Sequence, residues 1–171
     1  MLSLPLYVHM IFGYLATVGF AVFLNGPKKT MYISGFIGMG SWIIYILMVK
    51  AGYDVVVSNL LAASFASLSS EILSRKMKKP TILFVVPGIV TLVPGLGLYN
   101  AMSFLIEGNY NLAIGKGIEV VLVSGAIAFG VIVISSLTKG YYDRIKVFKD
   151  AIKSKLKVKK VIVSKDTLNS K

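Results

Sequence analysis

The chain contains no cysteine and a single histidine, His9. Disulfides, thiol chemistry and cysteine-ligated metals are thereby excluded, and one histidine cannot build a multi-histidine metal site. No metal or other cofactor is expected. Charge is scarce as well: 15% of the residues are Asp, Glu, Lys or Arg, where a soluble domain carries about 25%. Acids are the rarer sign, seven against 19 basic residues. No Lys or Arg precedes Lys28, so the N-terminal segment lacks the positive region of a signal peptide and reads as retained. No Gly-rich phosphate loop of the Walker type occurs, which excludes an ATP-driven motor within the chain. A Ser/His/Asp triad would have to use His9, and no motif surrounds any serine. The reading is not that of an enzyme.

What is present in excess is apolar: 56% of the residues, in long blocks, with a mean hydropathy of +0.77. A bilayer core about 30 Å thick needs roughly 20 apolar residues in helix. Five blocks meet that need and predict an all-α integral membrane protein with spans over about 4–24, 31–49, 55–73, 81–106 and 112–137. Turn and charge signals separate them: Asn25-Gly26-Pro27-Lys28-Lys29, Lys50-Ala51-Gly52-Tyr53-Asp54, and Arg75 to Pro80. The membrane domain is read as 1–138 and a cytoplasmic basic tail as 139–171.

Orientation follows from where Lys and Arg accumulate, since they favour the cytoplasmic side. With the N-terminus outside and the C-terminus inside, the cytoplasmic places hold two (Lys28, Lys29), four (Arg75 to Lys79) and eleven (the tail) of the 19 basic residues; Lys50 and Lys116 alone lie outside. The tail places Ile145, Phe148, Ile152 and Leu156 at helical spacing among Lys146, Lys149, Lys153 and Lys155. This predicts a basic amphipathic helix lying against anionic lipid headgroups, each basic residue contributing about 1 kcal/mol near the surface. The stretch 161–171 reads as without fixed structure. A basic tail satisfies the positive-inside rule without nucleic acid, which is not expected as a partner.

The fourth block carries the most information. Two Val-Pro-Gly triplets, at Pro87-Gly88 and Pro94-Gly95, stand seven residues apart and are followed by Gly97, Tyr99 and Asn100. Each proline removes a backbone donor and obstructs the carbonyl four residues back. In lipid such carbonyls need partners within the protein or a water-filled cavity, and broken helices of this kind form transporter binding sites. Two readings stand: kinks that serve packing only, or a broken helix that lines a substrate path with Pro87, Gly88, Thr91, Pro94, Gly95, Tyr99 and Asn100. The third block is rich in Ser and Ala from Ser58 to Ser70, fit for a tight helix–helix interface or for a polar wall to which Asn59 would belong. Glu71 is the acid nearest a span interior, and Arg75 at i+4 is placed to pair with it. That pair reads either as an interfacial salt bridge or as a coupling or gate element. Glu119 with Lys116 at i−3 is a similar pair towards the outer side. Gly35, Gly38, Gly40, Gly125 and Gly130 suit close helix packing.

Three stretches carry a family resemblance. They are Val18 to Pro27, Leu60 to Arg75, and the double Val-Pro-Gly run from Val86 to Met102 that ends Tyr99-Asn100-Ala101-Met102. Together they resemble the small five-helix domain of the threonine/serine exporter family, over roughly residues 10–137. The resemblance implies export of small polar metabolites, threonine and serine or, in two-protein versions, dicarboxylates such as succinate. It also implies a larger exporter-family membrane subunit as partner, and a multi-pass place in the cell membrane. This chain has Thr91 where relatives often have proline between the two Pro-Gly pairs, and Asn100 where they often have a basic residue. The expected function is that of a subunit of a secondary exporter working by alternating access. The alternative is a non-transporting membrane scaffold that stabilises a partner.

Overall fold

The computed structural model describes residues 5–169, with side chains up to Tyr142 and that of Arg144. The described residues form helices and no strand: α1 (Leu6–Phe23), α2 (Lys28–Lys50), α3 (Val55–Met77), α4 (Ile82–Ile89), α5 (Gly95–Ile106) and α6 (Tyr110–Asn169). Four are long and apolar enough to cross a membrane: α1, α2, α3 and residues Tyr110–Tyr142 of α6. The pair Ile82–Leu92 and Gly95–Ile106, bent by 51°, makes a fifth if it is one span.

Local chemistry sets the ends. Asn25 and Lys78 adopt left-handed backbone (φ 53° at each), stopping α1 and α3. Gly52 and Gly108, at φ 88° and 76°, make the turns after α2 and α5 without a Cβ penalty. The Asp54 carboxylate accepts from the Val56 N–H at 2.9 Å and caps α3.

The chain divides into two units, 1–135 and 136–171. In the first, the interior is made of small and hydroxyl-bearing residues. Thr17, Ser34, Ser41, Ser58, Ala62, Ala63, Ala66, Ser67 and Ser70 are fully buried, while Phe12, Phe23, Phe36, Ile106, Val121 and Ile132 face outward. This is the reverse of a soluble core. It follows from a solvent as apolar as leucine, in which association comes from close approach and interhelical hydrogen bonds. At Gly38 of α2 an added Cβ would run into Thr17 of α1, and at Gly130 of α6 one would lie 2.9 Å from the Leu60 carbonyl of α3. Gly125, by contrast, faces open space. Ser67 of α3 donates to the Val131 carbonyl of α6 and shares a hydroxyl contact with Ser135, both at 3.3 Å.

Pro87 does not break its helix. It lies inside α4, which continues as a 3₁₀ turn over Val90–Leu92, and the interruption falls at Val93-Pro94. The reason lies on α2. The carbonyl four residues before Pro87 belongs to Leu83, and the Ser34 hydroxyl sits 3.1 Å from it. The Ser41 hydroxyl lies 3.0 Å from the Gly88 carbonyl. The Leu83 carbonyl, which Pro87 leaves without its helical donor, thus has a hydroxyl donor across the helix pair, shared with the Thr30 carbonyl at 2.8 Å, and α4 passes through Pro87. In the second unit the backbone is helical to Asn169, including most of the stretch predicted to lack structure. No Gly or Pro follows Gly140 to stop a helix. The predicted amphipathic face (Ile145, Phe148, Ile152, Leu156) lies outside the residues whose side chains are described.

Candidate functional site

The interruption between α4 and α5 opens a cavity of about 440 Å³. It lies at the end of the bundle where α2 finishes, α3 begins and α6 begins. Trp42 and Tyr45 of α2 form one wall, their rings stacked at 5.2 Å. Val55 and Asn59 of α3 form a second, and Lys116, Glu119, Val120 and Val123 of α6 a third. The broken segment from Thr91 to Gly97, with Asn100, supplies the fourth.

The polar atoms of this cavity are short of partners. Asn59 is 4% exposed; its amide donates to the Val55 carbonyl at 2.8 Å, and its Oδ1 accepts nothing from the described residues. The Thr91 Oγ1 is buried without a partner, a condition that costs about 1–3 kcal/mol unless a ligand or water relieves it. Pro94 caps α5 with no side-chain bond, the Gly95 N–H is taken by the Val93 carbonyl, and the Leu98 N–H by Pro94. That leaves the N–H groups of Leu96 and Gly97, both lining the cavity, as open donors at the positive end of a twelve-residue helix. Lys116 and Glu119 pair at 2.6 Å, with 44% and 48% of their side chains exposed. A carboxylate could meet donors here, and a cation could meet Glu119.

Five predicted path residues come together at this cavity: Asn59, Thr91, Pro94, Gly95 and Asn100. Pro87 and Gly88 do not line it; Gly88 packs against Ile37, and Pro87 lines a separate cleft with Ala21 and Leu83. Tyr99 is 69% exposed and does not line it. Glu71 and Arg75 do pair, at 3.1 Å, with Glu71 buried. Glu71 sits twelve residues along α3 from Asn59, about 18 Å at 1.5 Å per residue. Near the pair Ser74 donates to the Glu71 carbonyl within α3 at 3.0 Å, Thr81, just before α4, donates to the Ser74 hydroxyl at 2.9 Å, and Phe84 is fully buried. Trp42, Tyr45 and the open N–H groups of α5 carry no motif in the sequence. Lys116 and Glu119 are visible there as a pair, but not as neighbours of Thr91 and Asn100.

Against known families, the model of the family described as Threonine/Serine exporter, ThrE, matches residues 9–137. The chain belongs to the threonine/serine exporter family. No curated protein and no solved structure matches. Membership makes the chain a transport protein of the membrane rather than an enzyme, and the match takes in every wall of the cavity.

Proposed function

We propose that the chain is the small five-span subunit of a secondary exporter of small polar metabolites, threonine/serine-type amino acids or dicarboxylates, in the cell membrane. The bent pair α4–α5 is its fourth span, the N-terminus lies outside and the basic tail inside, held at anionic lipid. The observation that carries this reading is the cavity at the helix break, where Asn59, Thr91, Asn100 and the α5 N-terminus offer unpartnered polar groups inside an apolar bundle. Membrane proteins retain such groups where a polar solute passes.

In this reading the cavity is the outward-facing substrate site, and the Glu71–Arg75 pair with Ser74, Thr81 and Phe84 closes the cytoplasmic end. Alternating access requires that end to open while the cavity closes, so Glu71 and Arg75 act as a gate rather than as substrate ligands. The cavity is half open to the outside, and a larger family subunit completes the path.

The test is efflux from cells loaded with labelled serine, threonine or succinate, expressing this chain alone and with a candidate larger subunit. Faster efflux in the pair, lost on Asn100→Ala while the complex stays assembled, is the expected result. An intact complex that exports none of the three would turn the reading to the scaffold.

A further inference from the structure

We infer that Lys116 and Glu119 are the charge-selecting residues of this cavity, opening their mutual ion pair to a zwitterion and rejecting a dianion. The inference rests on the cavity being the substrate site and adds what decides between its two candidate substrate classes.

The pair is the one set of charged side chains on the cavity wall. Each partner is close to half exposed, so water already screens their attraction, and exchanging partners is cheap. Their neighbours differ. Gly97, at the start of α5, packs against Val120: an added Cβ would lie 2.9 Å from its Cγ2. Val120 is one turn beyond Lys116 and adjacent to Glu119. The open N–H groups of Leu96 and Gly97 and the positive end of α5 therefore lie beside the pair. A carboxylate entering here meets Lys116 and two backbone donors, the arrangement that favours an anion. It releases Glu119, which then needs a cation within reach. An α-ammonium supplies that cation, and the cavity stays neutral overall, as it was with the pair closed. A dianion supplies none. Its second carboxylate is left facing an unpaired Glu119, and like charges at that distance repel. Among the described residues no other Lys or Arg lines the cavity to offset it. Selection of this kind works by penalising the wrong ligand as much as by attracting the right one.

Trp42, the single tryptophan, lines the cavity and reports occupancy. The experiment uses the full chain in vesicles, with and without the larger subunit. Equilibrium binding of labelled serine and succinate is measured with Trp42 emission, and because Trp42 also lines a second pocket with His9 and Phe12, loss of binding in Asn100→Ala places it at this cavity. Serine should bind at least tenfold more tightly than succinate. Glu119→Gln should weaken serine and strengthen succinate, erasing about tenfold of that ratio. Lys116→Gln should weaken both, and Lys28→Gln, at the opposite end of α2, should change neither. If serine or succinate perturbs Trp42 but Glu119→Gln leaves the ratio unchanged, charge selection lies elsewhere and this inference falls while the cavity reading stands. If neither ligand binds or perturbs Trp42 in the unsubstituted chain, with or without the partner, the cavity is not the substrate site and both fall.

Discussion

Removing Arg75 should harm this protein more than removing Glu71, although the two form one ion pair. The pair is asymmetric: 4% of the Glu71 side chain is exposed and 32% of Arg75, with Oε2 and Nη2 at 3.1 Å. Loss of one member of a buried pair costs about 3–5 kcal/mol, because the other charge is left uncompensated. In Arg75→Ala the stranded group is the buried Glu71 carboxylate. Arg75 itself is a third exposed, so its screening of Glu71 is already diluted, and the lower end applies, about 3 kcal/mol. In Glu71→Ala the group that remains is a guanidinium on a long stem, already a third exposed, which can extend to the interface. That variant should lose about 1 kcal/mol, the scale of a partly exposed pair. Glu71→Gln in the Arg75→Ala background removes the buried charge and should restore about 2 kcal/mol of the loss, an energy close to thirtyfold in the unfolding constant. Unfolding in mixed micelles by added SDS, followed by circular dichroism, measures all four species of the cycle; thiol-reactive dyes are of no use in a chain without cysteine. Arg75→Ala costing no more than Glu71→Ala would refute the burial argument, as would a double variant no more stable than Arg75→Ala alone.

Two further outcomes follow from the packing and the topology. Gly130→Ala should destabilise by about 1–3 kcal/mol, because its Cβ meets the Leu60 backbone carbonyl, which cannot yield. Gly125→Ala on the same helix faces open space and should be neutral or stabilise by up to about 1 kcal/mol; equal losses at the two positions by SDS unfolding would contradict the α3–α6 contact. The orientation is read most simply by adding single thiols to a chain that has none. Glu107→Cys should react with an impermeant maleimide in intact cells and Lys79→Cys only after permeabilisation; the reverse pattern would invert the topology.

The fourth segment illustrates how far local reasoning reaches. Its two Val-Pro-Gly triplets look alike in the sequence, and both read as breaks. At Pro87 the carbonyl left without its helical donor, Leu83, faces the Ser34 hydroxyl, nearly fifty residues away, while at Pro94 the corresponding Val90 carbonyl accepts from the Val93 N–H at 3.3 Å, in a 3₁₀ turn. A serine on another helix is not a property of the proline's neighbourhood, so no window on the sequence distinguishes the two. The same holds for Gly125 and Gly130, five residues apart on one helix and equal in composition, of which one touches α3 and the other nothing.

What the sequence determined by itself is everything that sums along the chain. Apolar length gives the helices that can cross a bilayer, because each residue is transferred into lipid largely independently of distant ones. The Glu71–Arg75 pair is fixed by the helical repeat, which brings i and i+4 together whatever else surrounds them. The family was legible too, in the residues from Val86 to Met102. What only the tertiary structure decided is which of these residues meet. The cavity draws on α2, α3, α5 and α6, and its charged pair comes from a part of the chain that holds no recognisable motif. Tyr99, inside the most distinctive motif, does not line it. A helix presents every side chain at a fixed angle about its own axis, but the direction of that axis and the rotation about it are set by neighbouring helices, and that information is spread over residues far apart in sequence.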